Sequence, residues 1–333
     1  MRTSSQEKIQ RYTEKGWWGT TSTGALFDRL VADFPHRPAL VDPPNRPQLT
    51  GDAAKALTFR ELAQQVDRLA CVLYRQGLRQ HDIVMVQMPN ISDLVALYLA
   101  LAKLGTIISP VPMQYGVHEL RNIAGETGTR TYITVTRMKD APYLQQQRGA
   151  FATDCRIACF GPAVEGTIDL SCASCDEQEM AQFQHYCAEL DISANDILSI
   201  CWTSGTTGRP KGVPRSHNHW LSQALASYDG MGLRDGDAML NPFPLVNMAS
   251  FGGFFYPWLM CAGKLVLHHP MDLPVFLAQL QQEQIAYTIA PPAMLNMLLK
   301  QREVLEQVDL SRLRVIASGS APLSPWMVKE FQQ

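Results

Sequence analysis

Short apolar runs alternate with longer stretches of helical periodicity along this chain. Ile83–Met88, Thr106–Ser109 and Thr131–Val135 are typical of buried strands, whereas residues 92–104 and 118–127 carry apolar side chains at helical spacing. Strands that alternate with helices run parallel, because each crossover helix returns the chain to the same edge of the sheet. The sequence therefore predicts an α/β fold with parallel or mixed sheets.

The second half of the chain repeats this pattern. Strands are predicted near 197–202, 264–267, 286–289 and 313–317, and helices after His217 and over 272–283 and 292–300. A further long helix begins at Thr58, because Thr58 and Glu61 have the spacing of a capping box, and it ends at Gly77.

A chain of 333 residues is too long for one ordinary core, so we predict more than one unit. Residues 1–56 are assigned to an N-terminal arm and first helix, 57–190 to a first α/β subdomain and 191–333 to a second one with the phosphate loop. Residues 150–190 are predicted to be irregular and to connect the two subdomains.

Composition argues against several classes of partner. The formal net charge is −2 and no long basic run occurs, which does not favour nucleic acid. Residues 1–8 lack the apolar core of a signal peptide, and the longest apolar stretch, Leu94–Ala102, is shorter than the roughly 20 residues of a membrane span. The expectation is a cytoplasmic protein without a membrane span.

Four of the eight cysteines have a spacing that resembles a zinc site. Cys155 and Cys159 form C-x3-C, and Cys172 and Cys175 form C-x2-C. The first pair lies in a strand-like segment, where residues four apart are separated by about 13 Å. We therefore expect four reduced thiols and no metal site.

The segment from Cys201 to Gly212, C-W-T-S-G-T-T-G-R-P-K-G, follows a predicted buried strand. Glycines let successive N–H groups point inward, and hydroxyls and an ammonium group add donors, so the segment is suited to a polyphosphate. It is not a Walker loop, because Gly205 and Gly208 are too close together and Gly212 follows Lys211 where Ser or Thr should stand. His217, further along, either contacts this loop or is a structural histidine.

Thr203–Gly212 resembles the signature loop of the adenylate-forming superfamily, which includes acyl- and aryl-CoA synthetases and carrier-protein adenylation domains. Weaker resemblances occur at Leu57–Leu62, Leu101–Gly105, Val213–His217, Ala290–Leu295 and Ser318–Leu323, so the resemblance covers about residues 10–333. It implies two stacked mixed or parallel sheet subdomains with helices between and outside them, in αβαβα layers. The family's C-terminal lid domain is absent from these residues, so we expect the fragment to lack full activity.

The resemblance also implies a reaction, in which a carboxylic acid attacks Mg-ATP to give an acyl-adenylate. Coenzyme A, or the phosphopantetheine of an acyl carrier protein, would then accept the acyl group; a non-catalytic ATP- or acid-binding remnant is a third possibility. Lys211 and Thr206 are the expected catalytic residues. The ATP phosphates would contact Thr203, Ser204, Gly205, Thr206, Thr207, Gly208 and Lys211, and the adenine side would contact Gly319, Ser320, Ala321 and Pro322.

The acid pocket departs from the family pattern. Asn247 occupies the position where the family commonly has a histidine or aromatic residue near the substrate carboxylate. An amide can donate to a carboxylate oxygen but carries no positive charge. Met248, Phe251 and Gly252 are predicted to line the same largely apolar pocket, the alternative being that they are ordinary core residues.

Overall fold

A computed structural model describes residues 1–203, 210–319 and 321–331. Their strands are β1 (Pro38–Val41), β2 (Ala56–Thr58), β3 (Ile83–Gln87), β4 (Ile107–Pro110), β5 (Thr131–Val135), β6 (Arg156–Phe160), β7 (Ile168–Asp169), β8 (Ile197–Thr203), β9 (Lys211–Ser216), β10 (Ala238–Asn241), β11 (Lys264–Leu267), β12 (Tyr287–Ile289) and β13 (Val315–Ala317).

The helices alternate with these strands. They are α1 (Gln6–Glu14), α2 (Thr23–Asp33), α3 (Arg46–Thr50), α4 (Phe59–Arg75), α5 (Ser92–Lys103), α6 (Val117–Thr127), α7 (Tyr143–Gln147), α8 (Glu177–Glu189), α9 (His217–Gly230), α10 (Met248–Ser250), α11 (Tyr256–Met260), α12 (Leu273–Gln282), α13 (Pro292–Lys300), α14 (Arg302–Leu305) and α15 (Pro325–Phe331). A 3₁₀ turn follows α7 at Arg148–Ala150, and a π-helix at Phe251–Phe255 joins α10 to α11.

The strands form two mixed sheets. The six-stranded sheet has the order β13-β12-β10-β11-β1-β2, in which only β2 runs antiparallel to its neighbour among the described strands. The seven-stranded sheet has the order β7-β6-β5-β3-β4-β8-β9, and there β9 is the antiparallel edge strand.

Three apolar clusters separate the layers. The largest lies between the sheets and contains side chains from both, such as Val84 and Met239, together with α4 and α5. A second cluster packs α12 and α13 on the far face of the six-stranded sheet, and a third packs α6 on the far face of the seven-stranded sheet. This arrangement of helices between and outside two sheets confirms the predicted αβαβα fold.

Sheet membership crosses the predicted subdomain limits. Strands β1 and β2, at residues 38–58, pair within the six-stranded sheet, whereas β8 and β9, at 197–216, pair within the seven-stranded sheet. Residues 150–190 are also more regular than expected, because they contain β6, β7 and α8. The first difference arises because strand pairing joins segments far apart in sequence, which local periodicity does not report. The second includes a local signal that was missed, since α8 begins at a capping box formed by Asp176 and Glu179.

The cysteines contain one tertiary pairing that the spacing did not indicate. Cys71, on α4, forms a disulfide with Cys175, 104 residues later, so the expectation of a reduced thiol at Cys175 is wrong. Arg68 donates to the carbonyl oxygens of Leu170 and Ala173, which holds the segment before Cys175 against α4. The pairing therefore depends on how the 170–175 segment packs, not on the C-x2-C spacing.

Elemental analysis of the purified protein is expected to show less than one zinc per chain. Cys175 is bonded to Cys71, and the Cys159 Sγ lies 3.3 Å from the Thr167 hydroxyl. A stoichiometric zinc, removed by a chelator with a fall in melting temperature, would contradict this prediction.

None of the helices in the described part of the chain is long and apolar enough to cross a membrane.

Candidate functional site

The predicted phosphate loop connects β8 to β9. These two strands pair antiparallel up to the end that the loop connects, where Thr203 and Lys211 are partners and both side chains are exposed. Ser204, Gly205, Thr206, Thr207 and Gly208 lie outside the described residues. The hairpin therefore presents a hydroxyl group and an ammonium group to solvent at the carboxyl end of β8.

Position 212, directly after Lys211, favours glycine because β9 lies close to the side chains of β8 here. A Cβ on Gly212 would come within 2.8 Å of the Ile200 Cγ2 and 3.0 Å of the Trp202 ring. The Trp202 indole is in turn held by a hydrogen bond of 3.0 Å from its Nε1 to the Ser109 hydroxyl. The glycine thus lets Lys211 stay in register with Thr203.

His217 is a structural histidine at the start of α9. It is buried, and its Nδ1 accepts a hydrogen bond of 3.0 Å from the Thr23 backbone N–H. Burial lowers the pKa of His217 to about 4, and nearby Asp196 offsets only part of this effect. An unprotonated Nδ1 is what the Thr23 contact requires.

We expect the free energy of unfolding to fall as the pH decreases from 6.5 to 4. An unfolded histidine has a pKa near 6.5, so in this range the unfolded chain binds a proton that folded His217 does not, and the contribution of His217 to the loss is at most about 1.4 kcal/mol per pH unit. His217→Gln should flatten this slope in urea titrations at several pH values. A slope in His217→Gln equal to that of the unmodified chain would contradict the assignment.

The loop after β10 is positioned by residues that follow β3 of the other sheet. Asn90, which follows β3, donates from its Nδ2 to the Phe243 carbonyl oxygen at 2.6 Å, and its Oδ1 accepts from the Leu245 N–H at 2.9 Å. The buried Tyr98 hydroxyl donates to the Leu245 carbonyl oxygen at 2.7 Å. The carboxyl edges of β3 and β10, one from each sheet, therefore meet at this loop.

Asn247 ends this loop and is the N-cap of α10. Its Oδ1 accepts a hydrogen bond of 3.1 Å from the Ser250 N–H, and its side chain is half-buried. The cap uses the amide oxygen, so the Nδ2 group is the donor that a carboxylate could use. Met248, the next residue, is 37% exposed.

Phe251 and Gly252 lie deeper than Asn247. Phe251 exposes none of its surface and stacks between Tyr98 and Trp220, with ring centroids 5.4 and 5.0 Å away. A Cβ on Gly252 would lie 2.3 Å from the Nε2 of Gln223, so the glycine lets the Gln223 side chain of α9 lie against the backbone here. In this structure Phe251 is a core residue, and Gln223 lies against the face of Gly252.

The predicted adenine-side residues follow β13. Gly319, Ala321 and Pro322 are exposed, and Ser320 lies outside the described residues. All three groups of predicted site residues thus follow the carboxyl ends of strands, namely β8, β10 and β13. In open α/β sheets, ligands bind in the crevice beyond these ends.

Sequence reasoning missed several residues of this region. The segment 243–252, which carries the predicted acid pocket, is contacted from distant parts of the chain by Gln223, Tyr98 and Asn90. No spacing pattern in the sequence links these three residues to it. The π-helix was also missed, although the F-G-G-F-F run at Phe251–Phe255 is an unusual helical sequence that could have indicated it.

Comparison with known proteins identifies a family that matches most of the chain. The family described as AMP-binding enzyme matches residues 27–333. The chain is 24% identical over 302 residues to 4-coumarate–CoA ligase 2 of Nicotiana tabacum, a match that covers 88% of this chain and 51% of the relative. The chain spans about half the length of the curated relatives that it matches.

Solved structures share the fold. The apo structure of Mycobacterium smegmatis MbtA superposes with a TM-score of 0.80 at 18% identity, covering 99% of this chain and 57% of that one. The anthranilate–CoA ligase AuaEII, in complex with anthranoyl-AMP, gives 0.77 at 21% identity and covers 94% and 57%. With the family match extending over most of its length, the chain belongs to the AMP-binding enzyme family.

Proposed function

We propose that this chain binds Mg-ATP and a carboxylic acid and forms an acyl-adenylate with release of pyrophosphate. The observation that carries this proposal is the β8–β9 hairpin, whose loop end presents Thr203 and Lys211. This end of the hairpin lies at the carboxyl end of β8, in the same sheet as β3. Asn90, which follows β3, holds the loop that ends at Asn247. Phosphates and acid would therefore bind along the carboxyl edges of the two sheets.

In this reaction a carboxylate oxygen attacks the α-phosphorus of ATP. The bond from the α-phosphorus to the bridging oxygen breaks, and its electron pair leaves with pyrophosphate. The exposed Lys211 ammonium and Thr203 hydroxyl are placed to stabilise the charge that develops on the departing phosphates. Mg²⁺, when bound to the phosphate oxygens, would neutralise part of that charge. Thr206 and the loop N–H groups are proposed to contribute in the same way.

The proposed acceptor of the acyl group is coenzyme A, and the proposed acid is an aryl acid. The support is the names of similar proteins, a 4-coumarate–CoA ligase and an anthranilate–CoA ligase. The coenzyme A thiol would attack the acyl carbonyl and release AMP. Delivery to the phosphopantetheine of an acyl carrier protein remains the alternative acceptor, and a non-catalytic binding remnant remains the alternative function.

Pyrophosphate release from Mg-ATP, measured with a panel of aryl and aliphatic acids, tests this proposal. Activation of an aryl acid that depends on ATP supports it. Binding of Mg-ATP and acid without pyrophosphate release favours the remnant if it persists in the full-length gene product, and the absence of any binding contradicts the proposed function.

Asn247→Ala should raise the KM for the acid or lower kcat, without changing the KM for ATP. Loss of one neutral hydrogen bond costs about 0.5–1.5 kcal/mol, which is up to about tenfold. Because Asn247 also caps α10, Asn247→Asp is the matched control. It keeps an oxygen for the Ser250 N–H but repels a carboxylate, so it should preserve the melting temperature and still impair acid binding. Unchanged acid kinetics in both variants would remove Asn247 from the site.

A further inference from the structure

A free cysteine, Cys172, precedes the disulfide residue Cys175 by three positions. Cys71, the other disulfide residue, is fully buried on α4, and Cys175 is half-buried. Cys172 is exposed, and among the described residues it is the only free cysteine that is. A disulfide is exchanged when a thiolate attacks one of its sulfur atoms, so an exposed thiol close to Cys175 in the sequence is well placed for that attack.

The remaining free cysteines are poorly suited to the same reaction. Cys159, Cys201 and Cys261 are buried, and Cys155 and Cys187 are half-buried. Burial raises the pKa of Cys155, Cys187 and Cys201 to about 11. At neutral pH these groups are therefore almost entirely thiols, and it is the thiolate that acts as the nucleophile.

The segment that carries Cys172 and Cys175 can bend without disturbing its neighbours. It connects β7 to α8, and in the described chain no hydrogen bond of a helix or strand fixes residues 173–175. Arg68 and Arg75, on α4, donate to three carbonyl oxygens of the segment 170–174. Bonded cysteines have Cα atoms within about 7 Å of each other, and a turn brings residues three positions apart to that distance.

We propose that Cys71, Cys172 and Cys175 form a thiol–disulfide exchange site. The Cys172 thiolate attacks the Cys175 sulfur, and a bond forms between these two atoms. The bond from Cys175 to Cys71 breaks, its electron pair stays on the Cys71 sulfur, and that sulfur takes up the proton that Cys172 has lost. The exchange consumes no external oxidant or reductant, and it is independent of the proposed function.

This exchange moves the covalent link from a buried position to an exposed one. The bond from Cys71 to Cys175 joins residues 104 positions apart, whereas a bond from Cys172 to Cys175 closes a loop within one segment. A disulfide that closes a long loop stabilises a fold more than one that closes a short loop. The exposed bond is open to low-molecular-weight thiols in solution, so the site makes the stability of the fold depend on the surrounding ratio of thiol to disulfide.

Disulfide mapping of the chain, purified without reductant and equilibrated near neutral pH, tests this site. Acid stops the exchange, a maleimide then labels the free thiols in denaturant, and peptide mass spectrometry identifies the bonds. The bond from Cys71 to Cys175 links two peptides, whereas the bond from Cys172 to Cys175 lies within one. Both bonds should be found in the unmodified chain, with Cys71 labelled in the molecules that carry the second bond.

Reduction kinetics provide a second measurement. A thiol on a short segment has an effective concentration of the order of 1 mM, so at about 0.1 mM dithiothreitol Cys71 should be released about tenfold faster through Cys172 than by direct attack. Cys172→Ser removes the attacking thiol but keeps the backbone N–H that bonds to the Asp169 carboxylate. In this variant we expect only the bond from Cys71 to Cys175, and a release of Cys71 that is about tenfold slower.

Cys187→Ser is the matched control, because it removes a half-buried thiol from α8 and should behave like the unmodified chain. The proposal is overturned if the unmodified chain contains only the bond from Cys71 to Cys175, or if the second arrangement of bonds persists when Cys172 is replaced. It is also overturned if all three sulfur atoms are free thiols in the purified chain. None of these results bears on acyl-adenylate formation, which pyrophosphate release measures separately.

Discussion

Lys211→Ala is expected to weaken Mg-ATP binding and slow acyl-adenylate formation by at least about tenfold. Lys211 is exposed beside Thr203 at the loop end of the β8–β9 hairpin, where its ammonium group can contact a phosphate. Loss of one hydrogen bond to a charged group corresponds to about 10- to 150-fold. Calorimetry with Mg-ATP and an assay of pyrophosphate release measure the two effects.

Two variants distinguish a specific contact between Lys211 and a phosphate from a general effect of positive charge. Lys211→Arg keeps the positive charge and should retain part of the affinity, although a guanidinium group differs from an ammonium group in geometry. Lys300→Ala removes an exposed lysine from the last turn of α13 and should have no effect. If Lys211→Ala bound Mg-ATP and released pyrophosphate like the unmodified chain, Lys211 would have no role in the site.

Arg46→Ala is expected to lower the free energy of unfolding by about 3–5 kcal/mol, the usual loss when one partner of a buried ion pair is removed. The Arg46 side chain is 2% exposed and pairs with Asp42 and Asp93, which are 0% and 7% exposed. Without the guanidinium group, both carboxylates would remain buried with less compensation. Urea denaturation at neutral pH measures the change.

Lys55→Ala provides the comparison within the same cluster. Lys55 pairs with Asp93 at 3.1 Å, but its side chain is 37% exposed, so its loss should cost less than about 1 kcal/mol. Similar losses in both variants would show that the buried charges are not what stabilises this cluster.

The Arg46 cluster also supports the candidate site. The Asp42 Oδ1 accepts from the Ser92 N–H at 2.6 Å and thereby fixes the start of α5. Asn90, two residues earlier, holds the loop that ends at Asn247. Arg46→Ala should therefore loosen the loop that ends at Asn247 as well as destabilise the fold.

Local signals in the sequence determined the elements of this fold. The capping box at Thr58 and Glu61 is present, the strand predicted at 264–267 is β11, and the helix predicted at 292–300 is α13. These features depend on contacts within a few residues, so periodicity and capping residues are enough to predict them. The alternation of strands with helices likewise indicated the parallel sheets.

The sequence also indicated which segments carry the candidate site. The hydroxyl- and glycine-rich run before Lys211 suggested a polyphosphate, and its resemblance to a known signature pointed to the family that the comparisons then showed. Such a loop is recognisable because its residues act through their own backbone and side chains. The roles of the individual site residues remain predictions.

Only the tertiary structure decided what depends on distant segments. Strands β1 and β2 join the later six-stranded sheet, Cys71 reaches Cys175, and Phe251 is enclosed by Tyr98 and Trp220. The π-helix packs over β12 through a contact between the Phe254 and Tyr287 rings, whose centroids are 5.3 Å apart. Strand pairing and side-chain burial join residues far apart in sequence, and no local pattern of residues encodes which distant partner each one meets.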